Sequence, residues 1–386
     1  MPDRLNIFNF NILQGEALHR QITRHIRLLI YAGKLTTGSK LPRMHDLARH
    51  WCTNYFTVHT AFTRLVEEGL LERKPRVGTI VRQQNAELRS VGIYYGDEIL
   101  TKPDRAFYRA VHSQLLALLQ KEGIANRVFI DCRPPLQQRE PLRELSDAIQ
   151  SKSIQGLIVP LSGANVADWV ESFPLPTSIF SARRTECSRI FVDNSQLIRM
   201  AFQAVQKAGC TTVGLIHPVP PSAAGGGRVE SDTLLNAFHS LLTTFGLKTN
   251  PSWVRVPEID RPAQEMFGYE EFHKIWSLSK RPESLIVFPE NVARGVVLAA
   301  MECRANVPSD LRLVLHKNQN VDFLCPLPVD WIVTREKDVA KALIQQIKDR
   351  SSGLAPKEYE IRQTFVPATG GRDAGAGRSP LHNPQK

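Results

Sequence analysis

Apolar residues recur at spacings of three and four residues in two stretches near the beginning of the chain, as they do on one face of a helix. The first stretch predicts a helix over residues 18–32, and the second predicts a helix that follows a polar break at residues 52–54. The apolar positions are Leu18, Ile22, Ile26 and Leu29, then Val58, Ala61, Phe62 and Leu65. A shorter helix is predicted between them, over residues 46–51. Asn54 can cap the helix that follows it, because its side chain accepts hydrogen bonds from free N–H groups.

The pattern then changes to that of two short strands. Gly69 ends the second helix, residues 70–73 and 79–82 predict strands, and residues 74–78 predict a positively charged turn between them. The order of helices followed by a basic hairpin predicts a winged helix-turn-helix over residues 41–81. An ordinary small helical domain with a solvated polar face is the alternative.

From residue 90 onward, short apolar strands alternate with helices. The predicted strands are residues 91–95, 128–130, 156–160, 177–180, 190–192, 212–216, 284–288, 311–315 and 331–333. This alternation predicts parallel, doubly wound α/β sheets in two lobes. Ligands of such sheets bind beyond the carboxyl ends of the strands, so a cleft between the lobes is the predicted ligand site. The predicted domains are a winged helix-turn-helix at 1–82, a linker at 83–89, a two-lobe α/β domain at 90–368 and a disordered tail at 369–386.

Positive charge is concentrated at the beginning of the chain. The 386 residues carry a net charge of +11. Residues 1–86 hold 13 Lys and Arg against 6 Asp and Glu, a net +7, whereas residues 87–368 hold 33 against 31, a net +2. A basic domain beside a nearly neutral one is expected when the first binds DNA and the second binds another partner. A chance excess of surface Lys and Arg is the alternative.

Several other classes of site and protein are disfavoured by the sequence. The six cysteines have no close pairs, and neither a secretory leader nor an apolar run of membrane-spanning length is found, so we expect free thiols, a cytoplasmic location and no membrane partner. The group His45, His50, Cys52 and His59 has no usual metal-ligand spacing, so no metal is expected. The loop around Gly225–Gly227 lacks the Lys-Ser/Thr of a phosphate-binding loop, and no cofactor is expected.

Residues 18–81 resemble, without gaps, the DNA-binding domain of the GntR family of bacterial regulators. The resemblance is carried above all by residues 38–42 (GSKLP), 68–71 (EGLL) and 77–79 (VGT). Members usually carry Ser and Arg where this chain has Arg43 and His45. Their usual Ser-Arg opening of the recognition helix is Asn54-Tyr55 here, and a common Arg is replaced by His59. The resemblance implies the family scaffold, and the departures imply an unusual operator sequence.

The predicted DNA-binding residues lie on the exposed face of the recognition helix, just before it and on the wing. They are Arg43, His45, Asn54, Tyr55, Thr57, His59, Arg73, Lys74, Arg76 and Gly78. A helix fits the major groove of double-stranded DNA, where base edges carry a full donor and acceptor code. A basic hairpin beside it reaches phosphates or the minor groove.

Residues 90–348 resemble the ligand-sensing domain of LacI-type repressors, which is related to periplasmic sugar-binding proteins. The resemblance rests on residues 191–194 (FVDN), 207–216, 281–287 and 290–295, and the combined order resembles arabinose-repressor-type regulators. It implies a sugar or related polar metabolite as effector. The candidate effector-binding residues are Tyr95, Phe107, Asp193, Asp232 and Glu290. The alternative roles are core packing for the two aromatic residues, a helix cap for Asp232 and a surface position for Glu290.

The sequence therefore predicts a transcriptional regulator, expected to be a repressor, that binds an inverted repeat as a homodimer and responds to a small-molecule effector. A cytoplasmic solute-binding sensor with non-specific DNA binding is the main alternative. An aminotransferase-like enzyme is disfavoured, because no lysine motif for pyridoxal phosphate is found and the two-lobe strand pattern fits poorly.

Overall fold

In the computed structural model, the chain is described over most of its length. The described residues are 6–8, 12, 17–31, 33–82, 88–102, 105–134, 136–160, 167–170, 173, 175–180, 190–218, 233–257, 263–354 and 357–368. The predicted tail at 369–386, the loop around Gly225–Gly227 and most of the predicted linker at 83–89 lie outside these residues.

The N-terminal domain is a winged helix-turn-helix, as predicted. Its elements are α1 (Leu18–Tyr31), α2 (Met44–His50), α3 (Tyr55–Glu67), β1 (Leu71–Lys74) and β2 (Gly78–Val81). The predicted apolar positions of α1 and α3 form its core, with Leu18 at the edge and the other seven buried. β1 and β2 form an antiparallel hairpin, and Lys40 bridges to Ile80 on the outer side of β2. A short turn at Asn6–Phe8 adds Ile7 and Phe8 to the same core.

The first round of α/β structure begins at residue 90. Its elements are β3 (Ser90–Gly96), α4 (Glu98–Thr101), α5 (Ala106–Lys121), β4 (Ala125–Asp131), α6 (Arg143–Gln150), β5 (Leu157–Val159), α7 (Ala167–Val170), β6 (Thr177–Ile179) and β7 (Ile190–Val192). Four of the strands form a parallel sheet in the order β4-β3-β5-β6, and β7 lies outside this sheet. Leu88 packs against the apolar core formed by β3 and α5, and the backbone N–H of Arg89 donates to Gln155 Oε1 at 2.7 Å. These two residues of the predicted linker therefore contact the α/β body.

The second round of α/β structure contains α8 (Asn194–Lys207), β8 (Val213–Ile216), α9 (Thr233–Leu242), β9 (Val254–Arg255), α10 (Gln264–Trp276), β10 (Ser284–Val287), α11 (Glu290–Glu302), β11 (Arg312–Asn318) and β12 (Asp330–Thr334), with β14 (Thr364–Val366) near the end of the described chain. Its six strands form one sheet in the order β14-β12-β11-β10-β8-β9, parallel except where β14 pairs with β12. The two predicted rounds of parallel α/β structure are therefore confirmed.

The chain divides into two compact units, and this division does not follow sequence order. Unit 1 contains Met1–Val192 and Arg335–Ile361, and unit 2 contains Asp193–Thr334 and Arg362–Lys386. Helix α12 (Glu336–Ser351) and strand β13 (Tyr359–Ile361) therefore return to unit 1, where α12 packs against α5 and β13 pairs with β7. The domain boundaries at residues 82 and 90 and the cleft between the lobes stay predictions.

No described helix is long and apolar enough to cross a membrane.

Candidate nucleic-acid interface

The start of the recognition helix α3 is fixed by two of the predicted DNA-binding residues. Asn54 has an extended backbone, and its Oδ1 accepts from the backbone N–H of Thr57 at 2.8 Å and from Thr57 Oγ1 at 2.9 Å. The cap satisfies an N–H group that the first turn of a helix leaves without an intrahelical partner. Asn54 and Thr57 therefore bind each other here, and their first role is to begin α3 at Tyr55.

Aromatic rings form a row across α2 and α3. His45 stacks on Tyr55 with ring centroids 4.6 Å apart, and Tyr55 lies 5.7 Å from His59. The structure thus brings together three residues that the sequence comparison singled out as departures. Phe56 adjoins the row, 6.0 Å from Tyr55, and is 76% exposed. Phe56 is not among the DNA-binding residues predicted from the sequence. Its position outside the apolar face that contains Val58 was nevertheless a signal that this aromatic residue is exposed.

The wing presents three cations to solvent. Arg73, Lys74 and Arg76 are exposed, and Arg76 lies in the three-residue turn with φ +63°. Arg73 Nη2 donates to Thr63 Oγ1 on α3 at 2.8 Å, which ties the wing to the recognition helix. Gly78 follows the turn with φ +111°, a backbone conformation that residues with a Cβ rarely adopt. Gly78 therefore has a structural reason to be glycine, besides its predicted role beside DNA.

The end of α3 is joined to α1 by an ion pair. Glu68 accepts two hydrogen bonds from Arg27 Nη2, at 2.6 and 2.7 Å, and one from Arg27 Nε at 3.0 Å. Arg64 lies 3.5 Å from the same carboxylate. A fork of this kind is directional as well as attractive, so it fixes the orientation of the recognition helix on α1. Arg43, the remaining predicted contact, is exposed immediately before α2.

The two aromatic candidates for effector binding are packed within unit 1. Tyr95 is 1% exposed, and its hydroxyl group lies 3.1 Å from His112 Nδ1. Burial raises the pKa of Tyr95 above its ordinary value, so this hydroxyl is neutral. Phe107 is partly buried against the same core, with its ring 5.2 Å from that of Tyr108. Both residues occupy the core positions that were their alternative role, and Tyr95 has no exposed ring face for a sugar in this structure.

Two carboxylate candidates hold helix ends in unit 2. Asp193 caps α8, accepting from the backbone N–H groups of Ser195 and Gln196 at 2.9 and 3.1 Å. Glu290 is the first residue of α11 and is 2% exposed, so its alternative role as a surface residue is wrong. Its carboxylate accepts from Arg294 at 2.6 Å and from the backbone N–H of Asn318 at 2.7 Å.

The last candidate, Asp232, lies outside the described residues.

Two histidines and a phenylalanine that are not among the candidate residues predicted from the sequence lie at the carboxyl ends of the unit 2 strands. Phe288, directly after β10, lies between His217, directly after β8, and His316, near the end of β11, with ring centroids at 5.8 and 4.6 Å. His316 Nε2 lies 2.8 Å from Thr334 Oγ1, and burial lowers the pKa of His316 to about 3. This imidazole is therefore neutral near pH 7. The available signal was their position after apolar strands, where ligands of α/β sheets bind.

Metal chemistry has no candidate among the described residues, since no group of three or more His, Cys, Asp or Glu side chains there could hold an ion.

The comparisons with known proteins give different matches for different parts of the chain. The family described as bacterial regulatory proteins of the gntR family matches residues 18–81. No curated protein matches this sequence. Over 72–73% of its length the chain is similar in structure to regulators of the LacI family, at identities that establish only the fold.

Three solved structures illustrate that fold. A regulatory protein of the LacI family from Chloroflexus aggregans is 15% identical, with a TM-score of 0.59, and the match covers 72% of this chain and 97% of that one. A LacI transcriptional regulator from a Rhodococcus species gives 15% identity, a TM-score of 0.54 and coverage of 73% and 98%. A sugar-binding transcriptional regulator of the LacI family from Escherichia coli, complexed with phosphate, is 12% identical, with a TM-score of 0.53. That match covers 72% of this chain and 96% of the other.

These matches confirm both predicted resemblances. The chain is thus a DNA-binding transcriptional regulator that joins a GntR-type winged helix-turn-helix to an α/β body with the fold of LacI-family regulators.

Proposed function

We propose that this protein is a sequence-specific repressor, active as a homodimer on an inverted repeat in the bacterial cytoplasm and controlled by a small polar effector, in the first instance a sugar. The observation that carries the proposal is the exposed aromatic and basic surface of a gntR-type domain. The alternative of a solute sensor with non-specific DNA binding leaves the row of rings on α2 and α3 without a role.

On DNA, the predicted residues divide into two groups by their position. His45, Tyr55 and His59 face the base edges of the major groove, since a recognition helix presents its N-terminal residues there. Arg73, Lys74 and Arg76 hold the wing on phosphates. Asn54 and Thr57 act indirectly, because their mutual hydrogen bonds fix the first turn of α3.

A homodimer would bring two such surfaces to the two halves of the repeat. Leu298 and Met301 support this proposal, because they lie three residues apart on α11 and are 57% and 47% exposed. Glutamate at Leu298 should convert the dimer to monomer in analytical ultracentrifugation, while Leu324→Glu, at a side chain that is 90% exposed, should leave it intact. An unchanged dimer in Leu298→Glu would exclude this face of α11.

The effector proposal is supported by the fold and by the polar residues at the carboxyl ends of the unit 2 strands, His217, His316 and Asn318. A ligand that binds the folded state raises its stability in proportion to the logarithm of its concentration above Kd. A sugar panel can therefore be screened by thermal denaturation, with inorganic phosphate as a separate arm. A true effector must also change operator affinity, by linkage.

The experiment that tests the proposed function is the selection of sheared genomic DNA by the full-length protein at near-physiological salt, followed by sequencing. Enriched fragments that share an inverted repeat would establish a sequence-specific regulator. A Tyr55→Ala variant should lose this enrichment, while Tyr108→Ala, at a ring in the α/β body, should retain it. Binding by the wild type without enrichment would support the non-specific sensor instead.

A further inference from the structure

The threonine hydroxyl groups along α3 are used within the domain. Thr57 Oγ1 donates to Asn54, and Thr60 Oγ1 donates to the backbone carbonyl oxygen of Phe56 at 2.8 Å. Thr63 Oγ1 accepts from Arg73 of the wing. The hydroxyl hydrogens of Thr57 and Thr60 are therefore engaged inside the helix. Hydrogen-bonded base recognition is left largely to the other side chains of this surface.

Phe56 is the large apolar side chain that α3 exposes. Its exposed fraction is 76%, whereas Val58 and Phe62 of the same helix are completely buried. Among the described aromatic contacts, its ring has one neighbour, Tyr55, at a nearly perpendicular angle. A phenylalanine in this position adds little to the core, and it lies on the surface that the most basic part of the chain presents to DNA. Because Phe56 is apolar and the surface around it is basic, the group that packs on its ring should be an apolar group carried by a polyanion.

The major groove offers one such group, the 5-methyl group of thymine. We propose that Phe56 is a specificity-determining residue that recognises thymine by packing its ring against this methyl group. The inference rests on the proposed function and names the base that one residue reads. Cytosine lacks the methyl group, so the same contact separates a T·A pair from a C·G pair.

The test uses the operator obtained by the selection described above. Duplexes are made in which each thymine of one half-site is replaced in turn by deoxyuridine, which keeps the pairing and removes only the methyl group. At one or two positions, the wild-type protein should bind the uracil duplex about fourfold more weakly, as expected when one buried carbon contributes about 0.8 kcal/mol. At those positions, Phe56→Ala should bind the thymine and uracil duplexes equally.

Thr60→Ala is the matched control, because Thr60 is an exposed neighbour on α3 whose hydroxyl hydrogen bonds inside the helix. This variant should keep the fourfold difference between thymine and uracil. Phe56→Ala should also keep the wild-type salt dependence of binding, since no charge is removed. Its melting curve should match that of the wild type, because the side chain is exposed.

The inference is overturned if the wild type tolerates uracil at every position, or if the thymine preference persists in Phe56→Ala. Loss of the preference in Thr60→Ala as well would also contradict it, because the effect would then belong to the helix and not to the ring. These outcomes leave the proposed function intact as long as the operator is preferred over a scrambled duplex. Equal binding of the scrambled duplex overturns the proposed function, and this inference with it.

Discussion

The turn that follows helix α12 contacts the DNA-binding domain at Ser352 and Gly353, and an alanine substitution at Gly353 can test this contact. Gly353 follows α12 with φ +68°, and a Cβ atom added there would lie 2.7 Å from Thr37 Oγ1. The backbone N–H of Thr37 donates to the carbonyl oxygen of Gly353 at 3.3 Å. Because α12 packs on α5 in unit 1, this contact connects the DNA-binding domain with the α/β body.

The cost of Gly353→Ala has two parts that a control can separate. A non-glycine residue in the left-handed region costs about 1–2 kcal/mol, and an overpacked contact adds about 1–3 kcal/mol. Gly123 has φ +70° at the end of α5, with nothing within 4 Å of an added Cβ. Gly123→Ala therefore carries the first cost alone. Thr37→Ala removes the opposing hydroxyl group together with its hydrogen bonds to the carbonyl oxygens of Ser352 and Gly353. Compared with Thr37→Ala alone, the double variant Thr37→Ala/Gly353→Ala should therefore recover most of the second cost.

The assay is urea denaturation of the full chain, combined with operator affinity. We expect Gly353→Ala to lose about 2–5 kcal/mol and to change operator affinity, whereas Gly123→Ala should lose about 1–2 kcal/mol and bind DNA normally. Equal losses in the two single variants, or no recovery in the double variant, would refute the contact between Thr37 and Gly353.

Three further predictions follow from the described contacts. Arg76→Gln should reduce the slope of log Kd against the logarithm of the salt concentration by about 0.9, the value for one phosphate contact. Lys207→Gln, which removes an exposed cation on α8, should leave the slope unchanged. An unchanged slope in Arg76→Gln would show that the tip of the wing does not contact DNA. Burial opposes the ionisation of Asp131, but hydrogen bonds from Arg133 and Tyr94 outweigh it and lower its pKa below the ordinary 3.8. The charged form therefore stabilises the fold above about pH 4, and this stability is lost as the pH falls through the lowered pKa. Asp131→Asn should be less stable than the wild type at pH 7, and its stability should fall less steeply on the acid side of a profile of unfolding free energy against pH. Parallel profiles for the two proteins would contradict this role. Gly295→Ala should lose 3 kcal/mol or more in chemical denaturation, because the added methyl group would overlap backbone atoms of α10, and a loss below about 1 kcal/mol would show that the two helices are not so closely packed.

Local patterns were enough to predict the DNA-binding domain. The spacing of Ile22, Ile26, Val58 and Leu65 fixes the buried faces of α1 and α3, since a helix repeats every 3.6 residues whatever lies around it. Asn54 marks the start of α3 by the same kind of local chemistry. The alternation of strands and helices likewise determined the α/β class of the body.

Tertiary structure alone decided the features that depend on distant parts of the chain. The three-residue strand β13 has no pattern of its own, and its pairing with β7, over 160 residues earlier, defines it. From the sequence, Glu290 was a candidate effector-binding residue with a surface position as the alternative. Its burial at the start of α11, where the backbone N–H of Asn318 donates to its carboxylate, depends on how distant elements pack.

The aromatic surface shows the same division. The sequence determined that Tyr55 and His59 share one face of a helix, because their separation of four residues guarantees it. Only the packing of α2 against α3 placed His45 on Tyr55, and only the return of α12 to unit 1 brought Gly353 to Thr37. The helical period is set by residues that are close together in the sequence. These contacts depend instead on how whole helices and strands pack, and residues far apart in the sequence determine that packing together.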